Sequence, residues 1–132
     1  KHIGPDPDRT FAYPCGSVAI GDPPDERSYD AAILRHHFAA RVGGGSHCAM
    51  VNDPQTMNLL RIASFDGSGA DPAPLIAPCE QALAAGGWTV LGFHTTERQA
   101  HQALLAHLRA GPYWVAPVKT VARYVQAHQH HL

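Results

Sequence analysis

Trp88-Thr89-Val90-Leu91-Gly92-Phe93-His94, WTVLGFH, is the stretch whose reading decides the fold. It is rich in aromatic and β-branched residues, as strands are, and its apolar positions run consecutively. Such a strand is covered on both faces, the situation of a parallel strand sandwiched by helices. The flanks agree. Before it, Leu75 to Ala85 carries Ile76, Ala82 and Leu83, and Gly86-Gly87 stops a helix there. After it, Ala100, Ala103, Leu104 and Leu108 form the inner stripe of a helix predicted over Glu97 to Arg109.

Working outward, Gly111-Pro112 ends that helix, Tyr113-Trp114-Val115-Ala116-Pro117 reads as another strand, and Val118 to His128 as a closing helix. Upstream, Lys1 to Arg9 is an irregular lead-in, and Thr10 to Tyr13 is a short strand stopped by Pro14 and Gly16. GDPPDERS is a turn, Tyr29 to about His37 a short helix, and FAARV a strand running into Gly43-Gly44-Gly45. NLLRIASFD holds a further strand, and GSGADPAP a loop. Alternating strands and helices predict an α/β fold with a mainly parallel sheet, whose working residues sit at the carboxyl ends of the strands. Cys15, His94 and the residues after Pro117 fall at such ends.

The 132 residues make one domain, 1–132, with 10 basic and 11 acidic side chains. Near-neutral charge gives no basic field for nucleic acid. No apolar run is long enough to span a membrane, and no charged-then-apolar leader precedes the first strand, so a signal peptide is expected to be absent or already removed. Cys15, Cys48 and Cys79 are odd in number and widely spaced, which argues for free thiols rather than a disulfide framework or a CxxC zinc site. The ten histidines are the compositional oddity; those at 127–132 read as a flexible, loosely metal-affine tail.

Two segments, TFAYPCG (Thr10–Gly16) and GGWTVLGFHTTE (Gly86–Glu97), taken in order with the downstream PYWVAPVKTVARYVQAH, resemble the polysaccharide deacetylase (NodB-like carbohydrate esterase) family. The resemblance runs from about Thr10 to Gln126. It implies a partial (β/α) barrel, like the second half of a NodB-type deacetylase barrel. It also implies a hydrolase that removes acetyl groups from N- or O-acetylated carbohydrate, with a divalent metal, usually zinc, activating the water. The chain departs from the family where that metal is held. It has no TFDDG-like and no HxxxH-like motif: His36 and His37 are adjacent, and His101 and His107 are six apart. The metal ligands are therefore not identifiable. The half-barrel reading predicts association with a missing N-terminal half or with another copy, because open sheet edges and an apolar inner face demand partners.

Deacetylation needs an oxyanion donor and an acid for the leaving amine. The resemblance makes His94 the general acid and the backbone N–H of Cys15 the oxyanion donor. Tyr13, Pro14, Arg41, Trp88 and Trp114 are the candidate substrate contacts. Other readings stay open. Cys15 with His94 is the pair of a thiol hydrolase. His47 and Cys48 with another histidine form a metal set, though neighbours on an extended segment point apart. A cleft of Tyr13, Trp88 and Trp114 without turnover is a non-catalytic carbohydrate-binding remnant, and an inert structural fragment is the blandest alternative.

Overall fold

The computed structural model describes residues 6–43 and 51–129. The strands are β1 (Thr10–Ala12), β2 (Ala19–Ile20), β3 (Arg27–Ser28), β4 (Ala39–Val42), β5 (Ile62–Ala63), β6 (Phe65–Asp66) and β7 (Leu91–Gly92). The helices are α1 (Asp30–Ile33), α2 (Ala73–Ala85), α3 (Arg98–Ala110) and α4 (Val118–Gln129). The fold is mixed α/β. Its strands lie in three small sheets, β1-β4-β5, β2-β3 and β6-β7, and among the described residues no barrel closes.

The parallel pairings follow one another along the sequence. β1 pairs with β4 (Phe11 opposite Ala40), β4 with β5 (Arg41 opposite Ile62) and β6 with β7 (Phe65 opposite Leu91), all parallel. Residues 62–66 thus face β4 first and β7 next. The switch comes at Ser64, which is buried and whose Oγ donates to the Val42 carbonyl at 2.7 Å. The β2-β3 hairpin is antiparallel and spans what the sequence presents only as a turn.

Helices follow the apolar spacing. α2 buries Leu75, Cys79 and Ala82, and ends on Gly86 at φ 62°, a left-handed position that suits glycine. α3 buries Ala100 and Leu104, which meet Leu75 and Cys79 in one core cluster. A second cluster joins Ala39, Ile62, Val90 and Ala122, and a third Tyr13, Ile33 and Ala40. No helix among the described residues is long and apolar enough to cross a membrane.

Four sequence expectations are corrected. WTVLGFH is not one long strand: only Leu91–Gly92 is a strand, while Trp88 makes an isolated antiparallel bridge to Asn52. Asn52 is the cause: its backbone exchanges both hydrogen bonds with Trp88, at 2.7 and 2.9 Å, and its buried side chain accepts from the Ala63 N–H at 2.8 Å and donates to the carbonyls of Ala63 and Trp88. An amide there stands where a neighbouring strand would, and satisfies the backbone groups a ladder otherwise claims. Tyr113–Pro117 is not a strand either; Tyr113–Ala116 make no backbone hydrogen bond among the described residues. The helix predicted to reach His37 ends at Ile33, where the N–H groups of His36 and His37 both turn back to the Ile33 carbonyl. Residues 127–129 are helical rather than tail, since Gln129 donates to the carbonyls of Pro54 and Met57. Lys1 to Pro5 of the lead-in, His47, Cys48 and residues 130–132 lie outside the described residues.

Candidate functional site

The carboxyl ends of β1, β4, β6 and β7 open into one cleft of about 480 Å3, lined by Tyr13, Pro14, Cys15, Arg41, Ser64, Asp66 and His94 among others. Each arrives on the turn that ends its strand. At β1, Pro14–Gly16 forms a 3-10 turn, closed by the Gly16 N–H to the Tyr13 carbonyl at 3.1 Å. Cys15 sits inside that turn at φ 52°, a left-handed conformation uncommon for a residue with a Cβ. Its thiol is free and exposed. Its own N–H engages no group among the described residues, whereas the N–H groups of Tyr13, Gly16 and Ser17 are all bonded.

At β4, the Arg41 guanidinium reaches Ser64 Oγ at 3.4 Å. At β6 and β7, Ser68 joins the two exits. Its N–H donates to Asp66 at 3.0 Å, and its Oγ accepts the N–H groups of His94 and Thr95 at 2.9 and 3.3 Å. The Asp66 carboxyl is held below the usual carboxylate range, first by the Ser68 N–H, then by the Ser68 hydroxyl and the His94 ring. Asp66 and His94 are both exposed to the cleft's solvent. Gly67, between them in this arrangement, has no room for a side chain: a Cβ there would lie 2.6 Å from the Phe93 ring.

No family model, curated protein or solved structure matches the chain. What the site can do rests on its own geometry.

The structure brings together Tyr13, Pro14, Cys15, Arg41 and His94 and leaves out Trp88 and Trp114. Both tryptophans line a separate, mostly apolar cavity of about 430 Å3 between α2, α3 and Tyr113–Ala116. Trp88 packs on the central cluster, and Trp114 sits at 5.3 Å from the Tyr124 ring on α4. Tyr13 borders the cleft but turns its ring into the core at 3% exposure. Its hydroxyl donates to Asp30 Oδ1 at 3.0 Å and accepts from Arg61 at 2.6 Å. Burial, reinforced by Asp30, pushes its phenol up, so it is a structural anchor rather than a stacking platform.

Asp66 and Ser68 are the residues sequence reasoning misses. The available signal is SFDGS, an acid at a strand end followed by a glycine and a hydroxyl two residues on. As for a metal, among the described residues no three side chains of His, Cys, Asp or Glu are grouped to hold one. Among the described residues the donors do not make up a set for the zinc that the family resemblance implies, so no step is derived through it.

Proposed function

We propose that this chain carries the acid and oxyanion side of a deacetylase-type hydrolase cleft, on a partial (β/α) barrel of the NodB kind, acting on N- or O-acetylated carbohydrate. One observation carries the reading. The Cys15 N–H, without a partner among the described residues, and the His94 ring border the same cleft at the carboxyl ends of parallel strands. When water adds to the acetyl carbonyl, the negative charge that develops on its oxygen needs a donor already in place, and the Cys15 N–H supplies one. When the carbon–nitrogen or carbon–oxygen bond breaks, the leaving atom needs a proton, and His94 gives it. Asp66 lines the same cleft as His94, and Arg41 closes the cleft wall through Ser64. The parallel succession β1, β4, residues 62–66 and β7 supports the half-barrel, with the rest of the barrel supplied by other polypeptide.

The test is acetate release from an acetylated chito-oligosaccharide, with metal content measured on the same sample. Release that falls by about a hundredfold or more in His94→Gln supports the proposal. Sugar binding with neither metal nor release leaves a non-catalytic carbohydrate-binding domain. Absence of both release and binding sinks both readings.

A further inference from the structure

At the opposite end of the same strands, where β1 and β4 begin, the surface holds a second, open cavity of about 580 Å3. Asp6 and Arg9 enter it from the segment before β1, Arg35, His36 and His37 from the turn after α1, and Phe38 from the start of β4. The lining is rich in nitrogen donors. Arg35 and His36 are exposed, and neither side chain engages another group among the described residues. His37 packs edge-on against Phe11 at 5.3 Å, with its Nδ1 sealed from solvent and without a partner among the described residues. A buried lone pair is less costly to leave unpaired than a buried N–H. The favoured tautomer therefore keeps the hydrogen on Nε2, which makes His37 a donor as well. The single lining carboxylate, Asp6, is already engaged: it accepts the Asp8 N–H at 2.8 Å and pairs with Lys119 at 3.4 Å. Its carboxyl is held low by that backbone bond first, and the charges of Lys119 and Arg9 add to the effect.

A guanidinium and two imidazoles without acceptors among the described residues, gathered beside a carboxylate that is already engaged, call for a ligand made of acceptors and negative charge. The cavity is far larger than a bare ion, and the planar guanidinium matches the paired oxygens of a phosphoryl group. We propose that this cavity binds the phosphate group of a small phosphate monoester, with Arg35, His36 and His37 as its contacts. The site is separate from the carboxyl-end cleft and stands whether or not the deacetylase reading does.

Inorganic phosphate and, separately, dimethyl phosphate are titrated into the full chain at low salt, with the arginine and histidine side chains followed by two-dimensional NMR. Inorganic phosphate is expected to move Arg35, His36 and His37 saturably. Arg35→Gln and His36→Gln, both at exposed positions, are expected to weaken it by about tenfold each with unchanged circular dichroism. Dimethyl phosphate, with one charge and two oxygens esterified, is expected to bind at least about tenfold more weakly. Phosphate that moves none of these residues, or that binds both variants as tightly as the parent chain, overturns the site. Equal affinity for the diester overturns its assignment to a monoester.

Discussion

The two parallel sheets are built from similar residues yet finished differently. In β1-β4-β5 the central strand is paired on both sides, and Ala39, Ala40 and Ile62 are fully buried. Among the described residues, only one edge of β7 is paired in β6-β7, Leu91 is half-buried, and across the apolar cavity Tyr113–Ala116 runs on without a ladder. Trp114 and Val115 are 58% and 67% exposed there. The difference shows where this polypeptide satisfies its own backbone and where it presents groups that another strand would satisfy.

The contrast is broken most directly by cavity-making substitutions. Ile62→Ala is expected to cost about 2–5 kcal/mol in urea unfolding, and Leu91→Ala at most about half of that. Equal costs would mean that the second sheet is as finished as the first. Next in size is Arg61→Met. Arg61 holds Asp30 through two contacts, at 2.7 and 3.0 Å, and Tyr13 at 2.6 Å. Both charged groups are about a third exposed, so water screens part of the effect, and a loss of roughly 1–2 kcal/mol is expected. The same variant changes the acid limb. Asp30 is held below its ordinary value of 3.8, chiefly by the Arg61 hydrogen bond. Its stabilisation is complete above that value and is lost as the pH falls through the lower folded one. Arg61→Met should flatten this acid slope, measured as urea midpoints between about pH 5 and 2.

Gly67→Ala sharpens the comparison at the junction of cleft and second sheet. The added methyl drives into the Phe93 ring, and a cost of about 1 kcal/mol is expected, together with reduced acetate release. The smallest effect belongs to Trp114→Ser with Val115→Ser. Both side chains are exposed, so unfolding should shift by no more than about 0.5 kcal/mol, while self-association in light scattering falls. If instead the double variant loses stability as a monomer, Tyr113–Ala116 is packed core rather than an unfilled edge.

Most elements were legible because their signals are local. The α2 and α3 stripes, Gly86 and the TFAYPCG stop each act through spacing or backbone freedom. Strand extent was not legible, because it depends on neighbours. WTVLGFH has the composition of a long strand, yet the backbone of Asn52, 36 residues away, takes both backbone groups of Trp88 in an isolated bridge. In the cleft, Cys15, Arg41 and His94 were legible as strand ends. Tyr13 was legible by position only: its ring is drawn inward by Asp30 and Arg61, 17 and 48 residues away. Asp66 escaped notice because SFDGS reads as an ordinary turn until folding ties Ser68 to the N–H groups of His94 and Thr95.

The 3-10 turn at the end of β1 also makes the cleft observable. Of the two thiols among the described residues, Cys79 lies buried in α2 with its pKa raised by that burial, and Cys15 stands exposed on the cleft rim. A thiol-reactive fluorophore added to the folded chain should therefore choose Cys15 over Cys79 by accessibility. Among the described residues Cys15 is thus an attachment point for a reporter on the rim of the cleft.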